Sequence, residues 1–363
     1  MRKFAMRVSP LWIVLTSFAL TACTNGSNSS VPPTETIKAA RLLGAQAKGA
    51  MLIALSSGAT TAISAFPLEA SGYTRPRWNI SGSRTRLKLG HGFAVAADGS
   101  IYALSGSAGE EPILLHFAAN ASGNVAPVKA LKFPRRVLND FSNGLFVDEK
   151  ERVWLTDGGD GIVSAYRVRD DKLDAVLSFR PRIASPYGLH VARPHGIFYD
   201  GDGHIYCVAN YLDHGTNFVG VSEYDVTYGA RARLVRSFYD PTMPFDVPPD
   251  AIAMDGSGYI YLANTLNHDG IWVYAPGWRT GPFAYDRVIG RGLRGFPTGY
   301  IASLAALADG TLYVAMGDSN LHASSIVVYP PGAAGAPKPE RVIRNADFIQ
   351  YPEGNFGTLL VIR

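Results

Sequence analysis

Five times along the chain the same alternation of polar and apolar positions returns. A small or polar residue opens an apolar run, an Asp follows, then a turn, and then apolar-Tyr-apolar or a near variant. The copies open His91-Gly92-Phe93-Ala94-Val95, Asn143-Gly144-Leu145-Phe146-Val147, His195-Gly196-Ile197-Phe198-Tyr199, Asp250-Ala251-Ile252-Ala253-Met254 and Ser303-Leu304-Ala305-Ala306-Leu307. Their acids, Asp98, Asp148, Asp200, Asp255 and Asp309, lie 50, 52, 55 and 54 residues apart, the period of one four-stranded propeller blade. Short apolar runs bounded by turn formers predict strands. Each Asp is expected to accept hydrogen bonds from turn amides, beside a Gly at positive φ. Tyr102, Tyr206, Tyr261 and Tyr313 recur at one strand position and are predicted to be blade core.

A third run follows in each unit, at 113–117, 162–166, 221–224, 271–274 and 326–329, and a fourth at 128–131, 175–179, 234–238, 287–289 and 341–343. Runs 51–55, 62–66 and 78–80 supply strands two to four of one more unit, whose innermost strand is 357–362. The prediction is therefore an all-β, six-bladed β-propeller over residues 50–363, with one blade closed by strands from both termini. Such closure removes open sheet edges. The 38 Gly and 23 Pro are spread along the chain, which suits many short elements joined by turns.

Upstream, the pattern changes. Residues 1–22 carry Arg2, Lys3 and Arg7, then an apolar stretch of about ten residues, the layout of a signal peptide and too short for a membrane span. Leu20-Thr21-Ala22-Cys23 resembles the lipobox of bacterial lipoproteins, which implies acylation of Cys23 and cleavage before it. Residues 23–36 then form the lipidated Cys and a flexible Ser/Asn/Gly/Pro/Thr tether, and 37–49, rich in Ala, Leu and Lys, predict a short helix. Thr24, where an inner-membrane retention signal has Asp, points to the outer membrane or cell surface of a bacterial envelope. The other cysteine, Cys207, lies within Ile205-Tyr206-Cys207-Val208-Ala209 and reads as a small buried hydrophobe, so no disulfide is expected.

Charge excludes one class of partner. Removing Arg2, Lys3 and Arg7 takes the formal net charge from +4 to +1, and the remaining bases are scattered among acids, so nucleic-acid binding has no footprint. No Gly-x-Ser-x-Gly elbow, phosphate loop, Cys-x-x-Cys or His-Glu-x-x-His occurs.

The pattern Gly-apolar-apolar-x-Asp-x-x-Gly-x-Ile-Tyr-Val-Ala-Asn, clearest at 195–210 and 250–264, resembles the NHL repeat. It also resembles the wider group of six-bladed propellers with strictosidine synthases, gluconolactonases and the peptidylglycine amidating lyase. Ala118-Ala119-Asn120-Ala121-Ser122-Gly123-Asn124-Val125-Ala126-Pro127 and residues 330–337 are similar to a linker of extracytoplasmic NHL-like proteins. That specifies fold well and activity poorly.

In a propeller, the residue leading each innermost strand and the loop between strands two and three share one face, around the mouth of the central channel. The leading residues are His91, Asn143, His195, Asp250 and Ser303, with Asn355 for the sixth. The loops add Asp157, Asp160, Tyr211, Asp213, His214, Asn217, Asn267, His268, Asp269, Asp318, Asn320 and His322. Five of the eight histidines fall on this face, so His91, Asn143, His195 and Asp250 form a candidate ring for a polar ligand or a divalent metal, zinc or calcium. The plainer reading is that these residues are polar because a channel mouth is wet. The amidating lyase implies a zinc held by histidines and the gluconolactonases imply a calcium held by Glu, Asn and Asp; neither set transfers whole, because a third His and a leading Glu are missing. The primary expectation is a membrane-anchored binding or scaffold module for a protein, peptide, glycan or small ligand. The alternative is a metal-dependent lactonase or lyase on the same face.

Overall fold

A computed structural model describes residues 51–362 except 57–60, 89, 107–110, 135–143, 158, 214–215, 228–230, 244–248, 250, 264–269, 291–299, 319–322 and 345–355. The expected signal peptide (1–22), lipidated Cys and tether (23–36) and short helix (37–49) lie outside the described residues.

Twenty-eight strands follow one another, with a single 3-10 turn at Ser83–Thr85 among the described residues. They are β1 (Met51–Ser56), β2 (Ala62–Pro67), β3 (Gly72–Tyr73) and β4 (Trp78–Ser81); β5 (Gly90–Val95), β6 (Ile101–Ser105), β7 (Ile113–Phe117) and β8 (Lys129–Lys132); and β9 (Leu145–Val147), β10 (Arg152–Asp157), β11 (Ile162–Arg169) and β12 (Lys172–Phe179). Next come β13 (Arg182–Ser185) and β14 (Gly188–Val191), then β15 (Arg193–Tyr199), β16 (His204–Asp213), β17 (Thr216–Asp225) and β18 (Arg233–Tyr239). The last are β19 (Ala251–Met254), β20 (Ile260–Ala263), β21 (Ile271–Tyr274), β22 (Gly281–Pro282) and β23 (Arg287–Ile289); β24 (Tyr300–Ala306), β25 (Leu312–Asp318), β26 (Ala323–Tyr329) and β27 (Arg341–Arg344); and β28 (Phe356–Ile362).

These strands build antiparallel meanders, named here from the inner strand outward: sheet I (β28-β1-β2-β4), II (β5 to β8), III (β9 to β12), IV (β15 to β18), V (β19-β20-β21-β23) and VI (β24 to β27). The hairpin β13–β14 stands apart. Inner strands touch in cyclic order, β28 to β5, β9, β15, β19, β24 and back to β28. The fold is a β-propeller. Sheet I joins the two ends of the described chain, with Met51 paired to Ile362 and Leu55 to Thr358.

One apolar cluster fills each seam. Ile63, Ile80, Phe93 and Phe117 lie between sheets I and II, and Leu114, Leu145, Val153 and Tyr166 between II and III. Trp154, Val163, Cys207 and Tyr224 fill III–IV; Val208, Phe238, Leu262 and Trp272 fill IV–V. Tyr261, Val273, Val314 and Tyr329 fill V–VI; Phe66, Tyr313, Ile326 and Val328 close VI–I. Each large side chain buried this way contributes about 1.5–3 kcal/mol. Tyr206, Tyr261 and Tyr313 are buried as their repetition predicts, while Tyr102 is half-buried and stacks on His116, with ring centroids 4.3 Å apart. Burial pushes the Cys207 thiol well above its ordinary pKa, which keeps it protonated and unreactive.

The repeated acids close turns. Asp255 Oδ1 accepts from the Ser257 and Tyr259 amides, and Oδ2 accepts from the Tyr261 hydroxyl at 2.9 Å. Asp148 and Asp200 likewise each accept from two turn amides, Asp98 and Asp309 from one. Gly99, Gly258 and Gly310 take φ of 83°, 84° and 90°; in sheet III, whose turn has no Gly, Glu151 takes φ 57° instead.

Among the described residues, four seams carry a main-chain bridge. The connection between strands three and four of one sheet runs back and pairs, parallel, with the outermost strand of the sheet before it. Gly123 bridges to Ile80 (I–II), β22 to β18 (IV–V), Gly335 to Ile289 (V–VI) and β3 to β27 (VI–I). The linker-like stretches at 118–127 and 330–337 are two of these bridges.

Candidate functional site

The mouth is the end of the sheets opposite the Asp turns, where each inner strand begins and strands two and three connect. Backbone register fixes the leading residues better than the acids do. At the far end of the inner strand, Ala96, Asp148, Asp200, Asp255 and Leu307 each donate an amide hydrogen bond to the carbonyl four residues on, at Ser100, Arg152, His204, Tyr259 and Thr311. These equivalent positions are 52, 52, 55 and 52 residues apart; Asp98 and Asp309 sit two residues later in their turns. Counting five back gives His91, Asn143, His195, Asp250 and Ala302.

β-Bulges mark the same place. The ladders skip one residue between Gly90 and Gly92, Pro194 and Gly196, and Ile301 and Ser303, so His91, His195 and Ala302 fall outside the ladder register. A bulge re-aims the side chain it carries. Ser303, expected to lead sheet VI, instead pairs with Ala315 inside the ladder. In β28 the skipped residue is Gly357, between Phe356 and Thr358, so register gives the sixth position to Gly357 and not to Asn355. By this count polar residues lead four consecutive sheets in the sequence, II to V, while Ala302 and Gly357 lead VI and I.

His195 is the ring residue whose surroundings are defined. It is buried at 7% exposure, and its Nε2 donates to Asn210 Oδ1 at 2.8 Å. Asn210 Nδ2 donates in turn to Asn217 Oδ1 at 2.9 Å. This chain crosses β15, β16 and β17, because the β16–β17 hairpin continues past the body of the sheet to the pair Asp213–Thr216. With its Nε2 proton committed to Asn210, that nitrogen does not ligate a metal.

The remaining expected residues divide by what the structure describes. Asp157, fully buried at the end of β10, accepts the Asp160 amide at 3.2 Å and closes the β10–β11 turn; Asp160 is exposed. Tyr211 is half-buried and stacks on His190, centroids 4.3 Å apart. His91, Asp213 and Asp318 are placed in β5, β16 and β25 by backbone only. Asn143, Asp250, His214, Asn267, His268, Asp269, Asn320, His322 and Asn355 lie outside the described residues. Among the described residues no three His, Cys, Asp or Glu side chains gather to hold a metal.

Two features escape a repeat-based reading. Asn210, the last residue of the Val208-Ala209-Asn210 signature, is the partner of His195, and the hairpin pairing β15 with β16 is the signal for it. The insertion β13–β14 packs on sheet IV: the Arg182 and Ala184 amides donate to Tyr224 Oη and Ser237 Oγ at 2.7 and 2.9 Å. Its turn, Ser185-Pro186-Tyr187-Gly188, flanked by alternating runs, is a recognisable hairpin signal.

No family model matches this chain, and no curated protein does. Solved structures match in fold. A candidate 6-phosphogluconolactonase from Bacteroides fragilis aligns with TM-score 0.51 and 10% identity, over 88% of this chain and 99% of its own. One from Bacteroides uniformis aligns with TM-score 0.51 and 14% identity, over 87% and 100%. Likeness at this identity extends to the propeller and not to its chemistry.

Proposed function

We propose that this chain is an NHL-like, six-bladed propeller lipoprotein of the bacterial cell envelope, acylated at Cys23, which binds a protein, peptide, glycan or small ligand at its channel mouth. Six sheets with six seam clusters support the blade count. The observation that carries the binding reading is the His195–Asn210–Asn217 chain. Each amide in it offers a donor and an acceptor without a net charge, the chemistry that orients a neutral polar ligand. The uneven count adds to this: counting back from the turns, the sequence places His91, Asn143, His195 and Asp250 ahead of sheets II to V, and Ala302 and Gly357 ahead of VI and I. The lactonase or lyase alternative needs a complete metal set, and the Nε2 of His195 is already engaged by Asn210.

Elemental mass spectrometry on the full-length chain, purified in detergent without chelators, separates the two readings. The binding reading expects no stoichiometric zinc or calcium, and photo-crosslinked adducts from position 217 but not from exposed Asp202 at the opposite turn. Near one zinc or calcium per chain, lost in the double variant His91→Ala/His195→Ala, replaces it with the metal-assisted reading. For the anchor, Cys23→Ser is expected to abolish palmitate labelling; retained label overturns that part.

A further inference from the structure

We infer that the free edge of β14 is a docking strand for an extended, acidic peptide segment, which it takes up by strand addition. Register fixes which groups face out. In the β13–β14 pair, Arg182 opposes Val191 and Ala184 opposes Leu189. Because Arg182 and Ala184 turn their amides away from β14, toward Tyr224 and Ser237, both pairs are of the non-hydrogen-bonded kind, and Leu189 and Val191 turn theirs outward. Arg182 Nη2 occupies the Leu189 carbonyl at 3.0 Å. The Leu189 N–H and both main-chain groups of Val191 find no partner among the described residues.

Such a row of donors and acceptors matches another extended backbone. Apart from the Arg182 side chain on the Leu189 carbonyl, no residue of β14 itself blunts it. Native edges are protected by Lys, Pro, bulges or covering chain, and the other outer strands follow that rule: β4, β18, β23 and β27 are bridged, β8 carries Lys129 and Lys132, and β12 carries Lys172 and Asp174. β14 reads Gly188-Leu189-His190-Val191, with neither charge nor Pro. Val191 and the adjacent Tyr187 are 54% and 69% exposed, and the stack of His190 on Tyr211 together with the bonds from sheet IV holds the strand ready-formed. Charge selects the occupant. Residues 180–193 contain Arg180, Arg182 and Arg193, all exposed, and no Asp or Glu; they attract carboxylates and oppose a second copy of this same edge. The site does not depend on the reading of the channel mouth.

The probe is a blocked heptapeptide of alternating Glu and Val, offered to the full-length chain in detergent. Saturable binding by fluorescence anisotropy is expected, with slowed hydrogen exchange at amides 188–192. Binding is expected to weaken at least tenfold when alternate peptide amides are N-methylated, when Lys replaces Glu in the peptide, and in Val191→Glu, whose thermal melt should match the parent. Absence of saturable binding, equal binding by Val191→Glu, or equal binding of the Lys peptide overturns the proposal. Light scattering that reports a dimer dissolved by Val191→Glu overturns it in favour of a second copy.

Discussion

The seams around sheet III differ from the other four. Those four are crossed by main chain: Gly335, for example, donates to Val288 O at 2.7 Å and accepts from Gly290 N at 2.6 Å. At II–III and III–IV no such bridge occurs among the described residues, and long side chains reach across. Lys129 pairs with Asp171 at 2.8 Å. Arg152 Nη2 donates to Val226 O at 3.1 Å, Lys150 Nζ to Thr227 O at 2.7 Å, and the Tyr199 hydroxyl to Glu149. Connection length separates the two kinds. Between strands three and four, sheets I, II, V and VI have a run long enough to reach back, whereas sheet III, which would bridge II–III, turns on two residues, Asp170 and Asp171, both at positive φ, and sheet IV, which would bridge III–IV, has the shorter connection 226–232. A main-chain bridge survives most side-chain changes; a seam held by Arg152 does not.

Arg152→Ala breaks this comparison most sharply. The Asp148 carboxylate, 0% exposed, loses the Arg152 guanidinium at 2.5 Å, and stranding one partner of a buried pair costs about 3–5 kcal/mol. Arg287→Ala removes the corresponding tie to Ala333 O at 3.1 Å in a bridged seam and is expected to cost about 1 kcal/mol. Guanidinium unfolding of both variants checks it, and equal losses would overturn this ranking. Next comes Gly335→Val, which attacks a bridge directly: a β-branched residue at φ 64° is strained by about 1–3 kcal/mol. Hydrogen exchange should quicken at the V–VI seam alone.

A pH effect is next in size. In bridged seam IV–V, His204 Nδ1 bonds Glu223 Oε1 at 2.7 Å, Glu223 also holds Arg236, and Arg236 lies 4.0 Å over the Trp278 ring. The bond to Glu223 raises the His204 pKa above 6.5, with burial opposing and Asp200 and Asp225 assisting. Its contribution is therefore complete below pH 6.5 and is lost as pH rises through the raised value. Glu223 is held below 4.5 against the opposing effect of burial, by His204 and Arg236; its contribution is lost as pH falls below that range. Unfolding midpoints measured from pH 4 to 9 should decline at both ends, and His204→Gln should flatten the alkaline side. An unchanged alkaline slope would assign it elsewhere. The smallest effect belongs to Lys129→Ala: its partner Asp171 is 79% exposed, so the loss should stay within about 1 kcal/mol.

Much of this architecture is legible in the sequence because it repeats. Apolar runs, Asp turns and the Tyr positions recur often enough to align, and the unmatched runs at the two ends complete a sixth sheet. The misses occur where repetition misleads or stops. Ser303 stood in for Ala302 because two turn forms place their Asp two residues apart, and only the ladder shows which backbone position is shared. Residues 118–127 and 330–337 are recognisable as linkers, yet that they pair with the preceding sheet follows from where the chain turns in space. β13–β14 has no counterpart in other units, so alignment passes over it. Asn210 was visible as a repeated residue, but its bond to His195 depends on a bulge that no composition reveals.

Sheet I also sets a schedule. Its inner pair joins Met51 to Ile362, residues 311 positions apart, so a chain growing from its N terminus makes β1 first and the strand that covers it last. No clasp exists before β28 is made, and until then the row of sheets stays open. A chain interrupted short of β28 keeps a bare edge at β1, a template for pairing with its neighbours.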